Sequence, residues 1–328
     1  MPFYQRVKQF LYSIKPINKS ENIDFIGDIH GYYNELKSLL LELGYTKQEK
    51  IWQHKSQKAL FLGDFINKGP DSLKVIKLIK RMVDNGAAYA ILGNHELYFL
   101  EYYYSKKRNK KTRLRQSQQR QIKKIFKKFE TAEEIDLYAD WLSSLPFYYK
   151  FKKARAVHAY WSDKNIKVIN RRTKNKKLKY RDIKEIFKQK SKFSKAVWQT
   201  TKGVEFRIPK KIIKENKNIL QSNFRIKWWI DYKSKTFNEI SFDSRITLPD
   251  IQIKKKYVRS YEIYNISMPP IFFGHYCLTK HKHIQEVNIC CLDGCIAGGG
   301  KNTKAYRWSG ENQLSKEKLF KNNKFYKK

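Results

Sequence analysis

No stretch of this 328-residue chain reaches the ~18 consecutive apolar residues of a membrane span. Its first residues also lack an uninterrupted apolar core followed by a small-residue cleavage site. A cytoplasmic location is the expectation. Acidic residues are scarce, 30 Asp plus Glu against 70 Lys plus Arg, which leaves a formal charge of +40. Anionic partners follow from that imbalance: phosphoesters, nucleic acid or acidic lipid. Lys, Asn and Ile are enriched everywhere, loops included, so compositional bias is an equal explanation of the charge. The cysteines are four, Cys277, Cys290, Cys291 and Cys295, crowded near the C-terminus without a C-x-x-C pair. They make a poor disulfide framework, and reduced thiols are expected. No internal repeat is evident, and Gly298-Gly299-Gly300 lacks the following Lys-Ser/Thr of a phosphate-binding loop.

What is present is a globular composition, 41% hydrophobic and 15% aromatic, in a chain long enough for one large domain or two ordinary ones. Short apolar runs at 22–26, 58–62 and 87–92 alternate with helical patterns. Tyr33, Leu36, Leu39, Leu40 and Leu43 share one helical face, as do Val75, Ile76, Ile79, Met82 and Val83. Strand, helix, strand, helix, strand predicts parallel βαβ units whose carboxyl ends lie along one sheet edge. Later runs at 155–157 and 270–273 each lead into a histidine, and 287–292 leads into Asp293-Gly294 before a last strand around 305–308.

Two segments interrupt this pattern. Between Ser105 and Lys128 there are twelve Lys or Arg and no acid. With Tyr102, Tyr103 and Tyr104 as stacking platforms it has the make-up of a nucleic-acid grip, and equally that of a solvated charged helix or loop. Thr131 and Glu134 then make a capping box for a following helix. The second segment, about 161–260, carries Ile183, Ile186, Phe187, Phe193, Ala196 and Val197 at helical spacing. Its Trp228-Trp229 pair is expected in the core, ahead of a polar turn and a hairpin.

The chemistry sits at the ends of the early apolar runs. Gly27-Asp28-Ile29-His30-Gly31, Gly63-Asp64-Phe65-Ile66-Asn67-Lys68-Gly69 and Gly93-Asn94-His95-Glu96 each place oxygen or nitrogen donors just past a strand. Asp28 and His30, one residue apart, can reach one metal ion, and Asp64 on the neighbouring strand can bridge two. Asn94 adds an amide oxygen; His158 and His275 add imidazole nitrogens. Mixed N and O donors suit Mn, Fe, Zn or Ni better than Ca or Mg. Glu96 reads as a helix-start residue.

In this order the motifs resemble the calcineurin-like metallophosphoesterases, within them the phosphoprotein phosphatase and bacterial diadenosine tetraphosphatase branch. The resemblance implies an α/β fold: a four-layer sandwich of two mixed β-sheets flanked by helices, here with basic helical insertions. It implies a single domain over 21–310 with insertions at about 101–130 and 161–260, between a basic N-terminal extension (1–20) and a basic C-terminal tail (311–328). Two divalent metal ions, Mn first among the candidates, are implied: Asp28, His30 and Asp64 for one, Asp64, Asn94, His158 and His275 for the other. The implied reaction is attack of a dimetal-bridging hydroxide on a phosphomonoester of a phosphoprotein, or on a nucleoside polyphosphate, with His95 protonating the leaving group.

This chain departs from the pattern at Asn67 and Lys68, where the family usually has Asp-Arg. Asn67 cannot stabilise an imidazolium as an anion does, and Lys68 keeps charge but loses the bidentate fork. Cys277 replaces a further histidine of many members, with His281 and His283 as distant substitutes. A nucleic-acid-binding protein with a weakened or inactive phosphoesterase core, or a nucleic-acid end-processing phosphatase, is the alternative.

Overall fold

The structure, a computed structural model, describes residues 22–322 except 175, 217–218, 243–245, 259, 280–281 and 301. The extension at 1–20, the end of the tail at 323–328 and His281 lie outside the described residues. The first half runs β1 (Asn22–Ile26), α1 (Tyr33–Glu42), β2 (Thr46–Gln48), β3 (Ile51–Gln53), β4 (Gln57–Phe61), α2 (Ser72–Asp84), β5 (Ala88–Ala90), α3 (Asn94–Lys107), α4 (Gln116–Phe126) and α5 (Ala132–Ser144). There follow β6 (Tyr148–Lys150), β7 (Arg155–Val157), α6 (Asp163–Thr173), α7 (Tyr180–Lys188), α8 (Lys192–Lys202), β8 (Glu205–Arg207), α9 (Lys210–Glu215), β9 (Asn223–Arg225) and α10 (Phe237–Ile240). The chain closes with β10 (Ile271–Phe273), β11 (Ile284–Glu286), β12 (Ile289–Cys291), β13 (Lys304–Trp308) and β14 (Leu319–Lys321).

Side-chain alternation decides how these pieces stack. In β1, Ile23 and Phe25 point one way into a core shared with Leu60 of β4, Ala156 of β7, Phe272 of β10 and Cys290 of β12. Ile26, Ala59, Phe61, Val157, Ile271 and Phe273 point the other way, into a second core that the helices cover. Two five-stranded sheets result, ordered β14-β13-β1-β4-β5 and β11-β12-β10-β7-β6. They meet face to face, with the Phe25 and Phe272 rings stacked at 3.9 Å. Each such ring, fully buried, contributes roughly 1.5–3 kcal/mol. Leu36, Leu39 and Leu40 of α1 and Val75, Ile76, Ile79 and Met82 of α2 are buried, as their helical spacing requires. The fold is thus a four-layer α/β sandwich of two mixed sheets.

Strand direction then sets where chemistry can occur. β1, β4 and β5 are mutually parallel, and so are β7, β10 and β12. All six end at the edge where the loops carrying Asp28, Asp64, Asn94, His158, His275 and Asp293 begin.

Several local expectations change. The basic stretch from Ser105 is not a free segment: α3 runs on to Lys107, and Leu114, Ile122 and Ile125 bury against the core. Tyr102 is buried against Phe126, while the half-buried Tyr103 and Tyr104 bond Asp136 and the Leu178 carbonyl through their hydroxyls. Half of the capping box forms: Thr131 Oγ1 accepts from Glu134 N–H, while the Glu134 carboxylate turns to the Glu130 N–H and Lys77. Trp228 and Trp229 are buried, but the paired strands β8 and β9 precede them rather than follow. Leu319–Lys321, inside the stretch read as tail, pairs with β13. Cys277 and Cys295 are joined as a disulfide, contrary to the reduced thiols expected, because the turn after His275 folds onto the turn after Asp293. Cys290 and Cys291 are free and buried. Among the described residues no helix is long and apolar enough to cross a membrane.

Candidate metal centre

The first three motif loops are cross-tied through their backbones before any side chain is considered. Ile29 and His30 N–H both donate to the Asp64 carbonyl, Gly31 N–H to that of Phe65, and Gly69 N–H to that of His30. Glu96 clamps the other side: its carboxylate accepts from Asp64 N–H at 2.8 Å, Phe65 N–H at 2.9 Å and Gly93 N–H at 2.9 Å. Burial, then the Asp64 charge, push its pKa up to about 7. Reading Glu96 only as a helix-start residue therefore missed its role as the clip between two ligand loops. Asp293 was missed too. It is buried, accepts from Cys295 N–H, and raises the pKa of Asp28.

Close approach explains two of the glycines. A Cβ on Gly93 would lie 2.3 Å from Asp64 Oδ1, and one on Gly274 would lie 2.1 Å from Asp28 Oδ1. Both positions leave room for a carboxylate that must sit against backbone. His30, Asp64, Asn67, Lys68 and His275 all have left-handed backbone, with φ between 50° and 72°. Such strain, on the order of 1 kcal/mol per residue, collects at functional sites.

Of the seven histidines in the chain, four converge here. His30 Nδ1–H donates to the Ile66 carbonyl, so Nε2 faces inward, 3.7 Å from Asp28 Oδ2 and 3.8 Å from Asp64 Oδ2. His158 Nδ1–H likewise donates to the Leu62 carbonyl at 2.7 Å, and its Nε2 lies 3.4 Å from Asp64 Oδ1. His275 places its N–H on Asp28 Oδ1 and its ring 5.2 Å from that of His158. Two groups could hold a cation, His30 with Asp64 and His95, and Asp64 with His158 and His275; Asp64 belongs to both. In the first group His95 is engaged at Nδ1 by Asn67, whereas Asp28 Oδ2 has no hydrogen-bond partner. We therefore favour Asp28 over His95 as the third donor.

The donor set fits divalent cations on its own chemistry. Asp28 Oδ2, Asn94 Oδ1, His158 Nε2 and His275 Nε2 are all buried without a hydrogen-bond partner. Each such orphan costs about 1–3 kcal/mol, and four at one edge of a well-packed fold call for a ligand. The charges agree. Burial, then Asp293, hold the Asp28 pKa well above the carboxylate range, while the His158 and His95 rings overcome burial at Asp64 and hold it well below. Burial would lower His158, but the Asp64 carboxylate outweighs it and pushes the pKa up to about 10.

His95 begins α3, its N–H on Asp64 Oδ1. Its Nδ1 is 2.7 Å from Asn67 Nδ2, which as donor leaves the proton on Nε2, 3.8 Å from Asp64 Oδ2. Burial is the main cause that lowers its pKa to about 4, with Lys68 contributing. Lys68 Nζ itself donates to His30 Nε2 at 2.9 Å. The distant substitute His283 is turned away, bonded to the Cys291 carbonyl.

Comparison with known proteins matches residues 22–276 to the model of a family described as calcineurin-like phosphoesterase. A bis(5'-nucleosyl)-tetraphosphatase (symmetrical) of Wigglesworthia glossinidia brevipalpis is 28% identical over 299 residues, 87% of this chain and 95% of that protein. The bis(5'-nucleosyl)-tetraphosphatase PrpE (asymmetrical) of Oceanobacillus iheyensis is 47% identical over 74 residues, 22% of this chain, so that the chain matches only 30% of that relative's length. Among solved structures, a protein serine/threonine phosphatase from Saccharomyces cerevisiae aligns at 14% identity with a TM-score of 0.44, covering 92% of this chain and 79% of that one.

Proposed function

This chain belongs to the calcineurin-like phosphoesterase family, and from that premise we propose that it hydrolyses a nucleoside polyphosphate, or failing that a phosphomonoester, at two divalent ions. Asp28, His30 and Asp64 hold the first ion; Asp64, Asn94, His158 and His275 hold the second. The observation that carries the reading is the set of four buried, partnerless donor atoms around a carboxylate shared by both groups. Divalent cations there supply Lewis-acid activation of the phosphoryl group and of water at neutral pH. Mn suits the mixed donors, with Fe, Zn and Ni as alternatives.

The protein's own side chains complete the arrangement. His95 presents Nε2–H to the leaving oxygen, Asn67 fixes that tautomer, and Lys68 contributes a point charge to the phosphate. Phosphoanhydride leaving groups are already stable as anions and need little protonation. A neutral His95 therefore suits a polyphosphate better than an alkyl phosphate, in keeping with the names of the relatives. The basic, folded segment around α4 supports a phosphorylated nucleic acid as a second substrate class.

The test is Mn-supplemented hydrolysis of diadenosine tetraphosphate, p-nitrophenyl phosphate, a phosphopeptide and a 5′-phosphorylated oligonucleotide. Turnover is expected to be greatest on the tetraphosphate, and no turnover on any of the four would refute the reading. Mn uptake should also release protons. His158, with its pKa raised to about 10, must become neutral to bind, so each pH unit below that value weakens binding about tenfold and affinity rises with pH. Calorimetry in buffers of different ionisation enthalpy measures this, and a proton count of zero contradicts it.

A further inference from the structure

The histidines assigned to the two ions are not held alike. The rings of His30 and His158 are each fixed by Nδ1–H on a backbone carbonyl, that of Ile66 and that of Leu62. Among the described residues the His275 ring has no such bond, and its Nε2 is buried without a partner. It meets the rings of His158 and Tyr276 edge-on, at 5.2 Å and 5.6 Å. Its aim therefore depends on its backbone, which is left-handed at φ 65° and persists only where the surroundings hold it.

What holds that backbone is a pair of turns joined by sulfur. Tyr276 N–H donates to the Gly274 carbonyl, and Cys291 Sγ of β12 lies 3.7 Å from the carbonyls of both Gly274 and Tyr276. Two residues past His275, Cys277 is bonded to Cys295, and Leu278 N–H donates to the Asp293 carbonyl at 3.1 Å. Cys295 is also left-handed, at φ 55°; its N–H donates to Asp293 Oδ1 at 2.8 Å, and its carbonyl accepts from Gly298 and Gly300 N–H. A Cβ on Gly298 would lie 2.6 Å from Cys295 Sγ and 3.0 Å from Cys277 Sγ, so the glycine run closes over the bridge. This is the one covalent cross-link among the described residues, and it ties the His275 turn to the loop of Asp293, whose charge bears on Asp28.

We propose that the Cys277–Cys295 bridge is a site of reversible reduction that sets how tightly the second ion is held: closed, it keeps His275 on the ligand set, and open, it frees the turn. The proposal rests on the metal-centre reading, but the movement of His275 is also measured without metal. Cys277 is half-buried and Cys295 buried, so a dithiol reductant meets the Cys277 sulfur first. A bond forms between the reductant's sulfur and Cys277 as the bridge breaks, and Cys295 leaves as a thiol. The reductant's second thiol then displaces Cys277, also as a thiol, and the reductant ends as a disulfide, having given up two electrons and two protons. Cys290 and Cys291, free and buried, take no part.

The full chain is equilibrated with oxidised or with reduced dithiothreitol, which is then removed without air. Thiols are counted after denaturation, Mn is titrated calorimetrically, and histidine ring signals of the metal-free chain are recorded by NMR. Two thiols are expected in the oxidised form and four in the reduced form. Reduction should weaken the second Mn by about tenfold to a hundredfold, the usual effect of losing a support behind a ligand, and leave the first in place. The His275 signals should shift while those of His30 and His158 stay. A Cys277→Ser, Cys295→Ser double variant should bind Mn as the reduced chain does, with or without dithiol; if it does not fold, the two states of the unaltered chain decide alone. Four thiols in both states, equal Mn affinities in both, or loss of secondary structure on reduction overturns the proposal. If neither state binds Mn, the metal reading fails, and NMR decides the rest: a shift of His275 on reduction keeps the redox-controlled turn, and no shift overturns it.

Discussion

Asp64→Asn is expected to lower hydrolysis of every substrate by at least about three orders of magnitude, the scale seen when a shared member of a catalytic unit is removed. Asp64 earns this rank by position: Oδ1 faces His158 and accepts the His95 N–H, while Oδ2 faces His30. An amide in its place offers one oxygen instead of two and no charge. The carbonyl and N–H that tie the neighbouring loops are backbone groups and survive the change. Loss of activity with intact secondary structure is therefore the outcome, checked by steady-state kinetics beside circular dichroism. His158 provides an independent readout. Without the Asp64 carboxylate its pKa must fall from about 10, which NMR titration of the metal-free protein detects.

Removing the His95 ring should divide substrates by leaving group. His95→Gln keeps a donor near the site but cannot present Nε2–H, and general acid–base groups are worth ~10²–10⁴ in rate. The full loss is expected on an alkyl phosphate and a much smaller one on p-nitrophenyl phosphate or a tetraphosphate, whose leaving groups depart as stable anions. Asn67→Asp tests the same idea from the other side. An anion 2.7 Å from Nδ1 stabilises the imidazolium, raising a pKa now held near 4 and strengthening the acid available at neutral pH. Alkyl phosphate turnover should rise by about tenfold or more, one pKa unit or more of gain. Equal rates for the unaltered chain and the Asn67→Asp variant on that substrate would show that proton donation does not depend on this pair.

The residues gathered at the candidate metal centre were legible in the sequence because each follows a parallel strand, and parallel strands of one sheet end together. Asp28, Asp64 and Asn94 needed only that rule. His158 and His275 come from the second sheet, and nothing local says that its carboxyl edge meets the first; the motif order supplied that. The wider roles of Glu96 and Asp293 were not legible because they accept from backbone N–H groups, a kind of contact that side-chain spacing does not reveal. The disulfide between Cys277 and Cys295 likewise depends on two turns meeting, not on cysteine spacing.

The central claim, two cations sharing the Asp64 carboxylate, is tested most directly by Mn stoichiometry after equilibrium dialysis, measured by elemental analysis on the unaltered chain and on Asp64→Asn. The expected result is two Mn per chain in the first and fewer than one in the second. Equal Mn content in both proteins, or no Mn retained by the unaltered chain, would contradict it.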